Sequence, residues 1–306
     1  MPVPSADRPA PTLADCAIAE LARQCAQPLE PGLYLVATPI GNLGDVSLRA
    51  LATLARADLI CCEDTRHSRT LLDHYGIHRR LRAYHEHNAE AERPRILAAL
   101  AEGQAVALIS DAGTPLISDP GYKLVRAAAE SGWRIVAIPG ASAVLTGLAV
   151  AALPTDAFLF GGFLPPKETA RRARLAELAS VPATLILFES PSRLAASLAD
   201  IARAFPGRGA TVARELTKRF EEIRRGTAEE LNAWAAAAGD IKGEIVILIG
   251  PPPPAAQVTD TEISQHLAPL LADMSLRDAA RAVAGDLGVA RGRVYDIGLK
   301  LKGGRQ

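Results

Sequence analysis

The chain has 306 residues, of which 49% are hydrophobic, and its 34 basic and 34 acidic residues give a formal net charge of zero. This length and hydrophobicity favour two folded domains over a disordered chain. Neutrality also argues against a protein that coats nucleic acid non-specifically. The charge is uneven, however, because residues 275–306 contain seven basic and three acidic side chains, a net +4, which leaves −4 for the rest.

The cysteine content and the hydropathy favour a cytoplasmic protein that is not embedded in a membrane. The four cysteines have neither metal-ligand spacing nor a disulfide framework, and the adjacent Cys61 and Cys62 suit a buried strand in a reducing compartment. The first residues lack the basic and apolar regions of a signal peptide. The longest uncharged stretch, residues 135–155, is interrupted by Pro139 and Pro154, which predicts a buried strand and helix instead of a membrane span.

A first α/β domain is predicted over residues 32–139, after a flexible or short helical extension at 1–31 that is rich in alanine and proline. The predicted strands span 33–38, 58–63, 81–84, 104–110 and 133–138, and the predicted helices span 46–57, 65–75, 89–101 and 122–131. Alternation of this kind is typical of βαβ units. We therefore predict a parallel sheet with helices on both faces.

A second α/β domain is predicted over residues 140–250. The predicted strands span 157–163, 183–188, 210–214, 220–225 and 244–250, and the predicted helices begin near residue 143 and span 168–179, 193–205 and 229–238. A hairpin across residues 217–219 predicts that this second sheet is mixed. A proline-rich linker at 251–258 precedes a basic tail at 259–306, with helices at 262–271, 276–287 and 291–299.

The most informative segment follows the apolar run at residues 105–108 and reads Ser-Asp-Ala-Gly-Thr-Pro from Ser110 to Pro115. It predicts a buried strand that ends in a tight turn at the carboxyl edge of a sheet, where open α/β sheets bind ligands. Gly113 would let a ligand approach the backbone, and Pro115 would make the turn rigid. Asp111 could equally cap the following helix, and this segment alone leaves both interpretations open.

The turn after the first predicted strand, residues 38–45, contains Gly41 and Gly44 before a helix. These glycines permit a ligand to approach the helix N-terminus. The turn lacks the Gly-x-Gly-x-x-Gly pattern of dinucleotide folds, and the chain has no Gly-Lys-Ser/Thr phosphate loop. Taken alone, the segment is better interpreted as an ordinary βα turn.

Titratable residues follow the second predicted strand. Glu63 and Asp64, beside Arg66, could serve acid–base chemistry or could form a capping cluster with an ion pair. Five of the six histidines follow within residues 67–87. Because no cysteine or suitably spaced carboxylate completes a ligand set around them, we predict no metal site.

Eight segments in fixed order carry a resemblance to a known family. They read LVATPIGNL (35–43), CEDTR (62–66), SDAGTP (110–115), PGASA (139–143), GFLP (162–165), FESP (188–191), ARELTK (213–218) and KGE (242–244). In this order and spacing they resemble the tetrapyrrole methylase superfamily, from about residue 32 to 250 and more loosely to the C-terminus. Within it, the match is to the branch that methylates a ribose 2′-hydroxyl of 16S ribosomal RNA.

The resemblance implies two α/β domains of the tetrapyrrole methylase type with S-adenosylmethionine in the cleft between them, a helical C-terminal extension and a homodimer. It implies nine cofactor-binding positions: Pro39, Ser110, Asp111, Thr114, Ser142, Ala143, Glu189, Gly243 and Glu244. The implied reaction is 2′-O-methylation of a cytidine in the decoding region of 16S ribosomal RNA, with free RNA or the 30S subunit as partner. Residues 1–31 lie outside the family pattern, so we assign them no role.

Methyl transfer from a sulfonium is an in-line displacement that depends mainly on alignment, and an acceptor for the hydroxyl proton should assist it. Asp64, Glu189 and Glu215 lie at predicted strand ends and are the catalytic candidates, although each could equally belong to a structural ion pair. The predicted RNA-binding residues are the basic ones near the site and in the tail: Arg66, Arg214, Lys218, Arg291, Arg293 and Lys300.

Two other functions compete with this prediction. The first is methylation of a porphyrin or cobalamin precursor, as elsewhere in the superfamily. The second is a non-catalytic RNA-binding factor of ribosome assembly. The Thr-Pro-Ile-Gly-Asn-Leu loop and the basic tail favour the RNA-methylating branch, and an aromatic content of 4% disfavours base stacking as the main source of RNA affinity.

Overall fold

The computed structural model describes residues 10–253 and 258–303. The chain divides into two compact units, one up to Pro252 and one from Pro253. The first unit contains two five-stranded sheets, and the second contains three helices. No helix within the described ranges is long and apolar enough to cross a membrane.

The first unit begins with helix α1, Leu13–Cys25, inside the predicted extension. Thr12 and Asp15 form a reciprocal capping box at its start, in which the Thr12 hydroxyl accepts from the Asp15 amide and the Asp15 carboxylate accepts from the Thr12 amide. Leu21, on this helix, packs against the core of the first sheet. The predicted flexibility therefore stays a prediction only for residues 1–9, which lie outside the described residues.

The first sheet is parallel throughout, as the alternating pattern predicts. Its strands are β1 (Gly32–Val36), β2 (Leu59–Cys62), β3 (Leu81–Ala83), β4 (Ala105–Leu108) and β5 (Ile135–Ile138). Its helices are α2 (Leu48–Arg56), α3 (Thr65–His74), α4 (Ala89–Ala101) and α5 (Tyr122–Glu130). Separate apolar clusters cover the two faces, one with α2 and α3 and the other with α4 and α5, so both faces are buried.

The strand order β3-β2-β4-β1-β5 creates a crevice at the carboxyl edge of this sheet. From β1 the chain crosses to β2 on one side, whereas from β4 it crosses to β5 on the other side. The loops that follow the neighbouring strands β1 and β4 therefore lead to opposite faces of the sheet. Ligands of open α/β sheets bind at such a switch point.

The second sheet is mixed, as predicted, with the order β6-β7-β10-β8-β9. Its strands are β6 (Phe158–Phe163), β7 (Thr184–Glu189), β8 (Gly209–Arg214), β9 (Glu222–Thr227) and β10 (Ile245–Ile249). The helices of this half are α6 (Ala143–Val150), α7 (Glu168–Leu178), α8 (Leu194–Ala204) and α9 (Ala228–Ala237). Strands β6 and β7 are parallel, and the other neighbouring pairs, including the predicted β8–β9 hairpin, are antiparallel.

One apolar cluster joins the two halves of the first unit. Val144 and Leu148 of α6 pack on one face of the second sheet, against Val246 of β10. Ile40, from the loop after β1, belongs to the same cluster. The opposite face of the second sheet is covered by α7, α8 and α9. Burial of Ile40 therefore fixes the first domain's β1 loop against the second domain.

The second unit contains α10 (Asp260–Asp273), α11 (Leu276–Leu287) and α12 (Arg291–Gly303), which agree with the three predicted helices. Its own core includes Ile263, Leu267, Val283 and Val294. Gly288, with φ of +64°, ends α11 in the left-handed conformation, and a three-residue turn leads to α12. Residues 254–257 of the predicted linker lie outside the described residues.

Candidate functional site

A large cavity, of about 440 Å³, lies between the two α/β domains. The first domain contributes Ile40 and the loop after β4, residues 111–119. The second domain contributes the start of α6 and the ends of β6, β7 and β10. This volume is within the range of pockets that bind small molecules and cofactors.

Seven of the nine predicted cofactor-binding residues line this cavity. They are Asp111, Thr114, Ser142, Ala143, Glu189, Gly243 and Glu244. The other two, Pro39 and Ser110, line a second cavity of about 190 Å³ that shares Asp111 with the first. The structure therefore places all nine residues around two neighbouring cavities, to which both domains contribute.

The loop after β4 is fixed by hydrogen bonds to neighbouring strand ends. The backbones of Thr38 and Gly113 bond to each other in both directions, at 2.9 and 3.0 Å, and the Thr38 hydroxyl donates to the Ser110 carbonyl at 3.2 Å. Asp111 Oδ1 accepts the backbone amide of Asp64 at 3.0 Å. The N-cap of helix α5 is Gly121, and no side chain caps this helix. Asp111 therefore ties the end of β4 to the end of β2 and does not cap the helix that follows it.

Asp119, which was not among the predicted site residues, also lines the large cavity. It lies on a segment with unusual backbone geometry, since φ is +77° at Leu116 and +65° at Ser118. Such geometry persists where the surrounding structure enforces it, often at functional sites. Burial, and then the nearby Glu63 carboxylate, raise the pKa of Asp119 to about 6. A signal was present in the sequence, because Ile-Ser-Asp occurs at 109–111 and again at 117–119.

The large cavity combines carboxylates with apolar walls. Asp111, Asp119 and Glu244 line it together with Ile40 and Phe188. Carboxylates in a partly desolvated space favour a positively charged ligand, and the apolar walls favour a ligand with a flat or apolar part. Among the described residues, no group of three or more histidines, cysteines or carboxylates is arranged to hold a metal ion.

Two of the three catalytic candidates, Asp64 and Glu215, form ion pairs with basic side chains of the protein. Asp64 caps α3, and its bonds from the Arg66 side chain lower its pKa to about 2. Glu215 accepts from Lys218 Nζ at 2.8 Å and from the Glu244 amide at 2.9 Å. The Lys218 bond is the largest cause that holds the pKa of Glu215 below its usual value. Both carboxylates are therefore ionised but weakly basic.

Glu189, the third candidate, is 3% exposed and fully engaged. Its carboxylate accepts from the Ser190 amide at 2.7 Å, from the Ser197 hydroxyl at 2.5 Å and from Arg193 Nη2 at 2.6 Å. These bonds compensate for burial of the charge. The catalytic roles of all three candidates stay predictions.

The predicted RNA-binding residues have different surroundings. Arg66 pairs with Asp64, Arg214 Nε donates to Glu222 at 3.0 Å, and Lys218 also pairs with Glu244 at 3.1 Å. In the second unit, Arg293 Nη2 donates to Asp260 at 2.7 Å and to the Val258 carbonyl at 2.8 Å. The remaining two, Arg291 and Lys300, are exposed on α12. Their roles in RNA binding stay predictions as well.

Comparison with known proteins identifies the family. Residues 32–232 match the family described as Tetrapyrrole (Corrin/Porphyrin) Methylases, and residues 257–302 match the RsmI C-terminal HTH domain. The ribosomal RNA small subunit methyltransferase I of Mesorhizobium japonicum is 55% identical, with 90% of this chain and 94% of that protein covered. The protein of the same name from Pseudomonas aeruginosa is 46% identical, with coverages of 89% and 98%.

Solved structures agree on the fold. Uroporphyrin-III C-methyl transferase from Thermus thermophilus, complexed with S-adenyl homocysteine, has a TM-score of 0.51 at 19% identity and covers 72% of this chain and 97% of its own. Diphthine synthase has a TM-score of 0.56 at 15% identity, with coverages of 71% and 89%. The fold and the cleft define a methylase of the tetrapyrrole methylase class. Within that class, the chain belongs to the ribosomal RNA small subunit methyltransferase I family.

Proposed function

We propose that this protein transfers a methyl group from S-adenosylmethionine to the 2′-hydroxyl of a cytidine ribose in the decoding region of 16S ribosomal RNA. The family match supports ribosomal RNA as the substrate, because it extends over the catalytic unit and over the C-terminal helices. The ribose oxygen and the cytidine are what the resemblance carried by the sequence motifs implies. The reaction would take place in the cytoplasm, on 16S RNA or on the 30S subunit.

The single observation that carries the cofactor assignment is the cavity between the domains, whose walls combine carboxylates with apolar side chains. S-adenosylmethionine bears a sulfonium and an ammonium group, and Asp111, Asp119 and Glu244 line the cavity that would receive them. Ile40 and Phe188 offer apolar surface for an adenine ring. When bound, the cofactor supplies an electrophilic methyl group.

The chain's own residues would then act by positioning and by charge. The loop held by the Thr38–Gly113 backbone pair fixes one wall of the cleft, and the engaged Glu189 fixes another. Rigid walls of this kind favour in-line alignment of acceptor oxygen and methyl group. Methylation of the hydroxyl oxygen would release its proton, which would pass to a carboxylate of the protein or to water. Asp64, Glu189 and Glu215 remain the proposed acceptors.

The competing functions make different predictions. A tetrapyrrole methylase would share the fold, but the relatives that this chain matches along nearly their whole length are named as ribosomal RNA methyltransferases. A non-catalytic assembly factor would not need the acidic cavity. Equilibrium dialysis with labelled S-adenosylmethionine separates that alternative, because such a factor should not retain the ligand.

The decisive experiment incubates the purified protein and labelled S-adenosylmethionine with 30S subunits, or with free 16S RNA, from a strain that lacks the gene. We expect label in 2′-O-methylcytidine, identified by mass spectrometry of RNA fragments, and a single modified position. Label in a base-methylated nucleoside would contradict the ribose assignment, and unlabelled RNA in both arms would contradict the proposal as a whole. We also infer a homodimer, as the family resemblance implies, which light scattering after gel filtration tests directly.

A further inference from the structure

The smaller cavity, about 190 Å³, is a separate space at the carboxyl edge of the first sheet. Thr38 and Pro39 line it from the loop after β1, Asp111 from the loop after β4, and His67 and Thr70 from α3. Strands β1 and β4 are neighbours in the sheet, and the chain leaves them in opposite directions. The cavity therefore lies at the switch point where open α/β sheets bind ligands.

The Thr38–Gly113 backbone pair stands between the two cavities. Thr38 lines the smaller cavity and Gly113 the larger one, while Asp111 lines both. Because the two backbones are hydrogen-bonded in both directions, at 2.9 and 3.0 Å, the separation is a fixed part of the fold. A group in the smaller cavity is thus the immediate neighbour of a group in the larger one.

The walls of the smaller cavity are apolar on some sides and polar on others. Leu43, Leu71 and Ile109 supply apolar surface, and the side chains of His67 and Thr70 are polar. Alternation of apolar faces and hydrogen-bonding edges is what a nucleobase presents. The volume is less than half that of the larger cavity, which suits a single pyrimidine ring.

A basic side chain lies close to this cavity. Gly41, which lines it, has φ of +150°, and a Cβ there would collide with the aliphatic stem of Lys218. The close approach brings the β8–β9 hairpin of the second domain over the loop after β1. Lys218 Nζ bonds to Glu215 at 2.8 Å and to Glu244 at 3.1 Å, so its charge lies near both cavities.

We infer that the smaller cavity binds the pyrimidine base of the nucleotide whose ribose is methylated. This inference rests on the proposed function and adds where the substrate binds. The base would enter between the loops after β1 and β4, and the attached ribose would then lie at the Thr38–Gly113 pair, facing the cofactor cavity. Sequence-specific RNA recognition commonly uses bases that are removed from their stack. Pro39 and Ser110 are consequently assigned to the substrate and not to the cofactor.

Two variants of the full-length protein test the cavity, each with a control that makes the same change elsewhere. Thr70→Phe fills the cavity from an exposed position of α3, and Thr169→Phe makes the same change at an exposed position of α7. His67→Ala removes a polar group from the wall, and His78→Ala removes an exposed histidine outside it. S-adenosylmethionine affinity, measured by calorimetry, reports whether each variant is folded and whether the larger cavity is intact.

We expect Thr70→Phe and His67→Ala to lower kcat/KM on 30S subunits by about tenfold or more, with cofactor affinity within about twofold of wild type. The two controls should methylate like wild type. Equal activity of Thr70→Phe and Thr169→Phe would overturn the inference, and so would loss of cofactor affinity in Thr70→Phe, because the smaller cavity would then belong to the cofactor site.

A change in the RNA separates base binding from a general surface contact. Subunits reconstituted with a purine at the methylated position should be poor substrates for the wild-type protein. Thr70→Phe should show little further loss on these subunits, because the contact it blocks is already absent. Independent, multiplicative losses would contradict the inference. If the wild-type protein methylates no RNA at all, the proposed function fails instead, and the two failures are therefore distinguishable.

Discussion

The carboxylate of Asp119 reduces the stability of the folded protein at neutral pH, and the same charge favours binding of a cationic ligand. Its pKa in the folded protein is about 6, above the ordinary value of 3.8. The stability that its neutral form contributes is therefore fully present below pH 3.8 and is lost as the pH rises through about 6. At neutral pH the partly buried charge of Asp119 disfavours the folded protein without ligand, and a cationic ligand in the same cavity would relieve that penalty.

We predict that Asp119→Asn weakens S-adenosylmethionine binding by about tenfold or more at pH 7.5, because a charge-assisted contact becomes a neutral one. The variant should at the same time raise the melting temperature of the ligand-free protein at this pH. Calorimetric titrations between pH 5 and 8 should show the wild-type affinity increasing with pH, as the carboxyl loses its proton, and a flatter profile for the variant. A wild-type affinity that is constant over this range would contradict the assignment.

Glu189 is predicted by its geometry to act as a fixed wall of the cleft. In Glu189→Gln, Arg193 would lose its buried charged partner, and the free energy of unfolding should fall by about 1–3 kcal/mol. The control is Glu177→Gln, which breaks an exposed ion pair with Arg174 and should change stability by less than about 1 kcal/mol. Urea unfolding measures both. A stable Glu189→Gln variant that binds cofactor but is inactive would instead favour the catalytic role.

At the scale of elements, the sequence was sufficient to predict the helices and strands. It was insufficient to predict that the site is divided into two cavities. Alternating strands and helices predicted the parallel first sheet, and the turn at 217–219 predicted the antiparallel β8–β9 hairpin, because these features depend on local patterns. The two cavities depend instead on a backbone pair between Thr38 and Gly113, which are distant in sequence. Asp119 was missed because its burial and the geometry at Leu116 arise only from the assembled loop.

The close approach of Gly243 to the Glu215 side chain gives a prediction at the scale of elements. Gly243 has φ of +97°, and a Cβ there would lie 2.5 Å from the Glu215 carboxylate. We expect Gly243→Ala to displace Glu215 from Lys218, to lower cofactor affinity and to cost about 1–2 kcal/mol in backbone strain. Gly239 has φ of +68° with no neighbouring atom within 4 Å, so Gly239→Ala should show the strain alone. Equal cofactor affinity in the two variants would show that Glu215 has no part in shaping the cleft.

At the scale of the whole molecule, charge is distributed between two units that have separate cores. The catalytic unit contains the acidic cavity, which suits a cationic cofactor but repels RNA phosphates. Residues 275–306, in the second unit, have a net charge of +4, and Asp260, Glu262 and Asp273 reduce the net charge of the whole unit to +1. In a chain of zero net charge, the electrostatic attraction to RNA must therefore come from local surfaces, and residues 275–306 are the strongest candidate.

The last prediction concerns truncation after Pro252. Because the first unit has its own cores, the shortened protein should fold and bind S-adenosylmethionine like the full chain. It should lose RNA affinity, and the dependence of that affinity on salt should become shallower, by about 0.7–0.9 in the logarithmic slope for each RNA phosphate that the protein no longer neutralises.

Within the full chain, Arg291→Gln and Lys300→Gln should each weaken RNA binding. Arg293→Gln should mainly destabilise the second unit, because its guanidinium is bound to Asp260 and to the Val258 carbonyl. Filter binding at several salt concentrations measures these effects. A truncated protein that binds and methylates small subunits like the full chain would show that the second unit does not contribute to RNA binding.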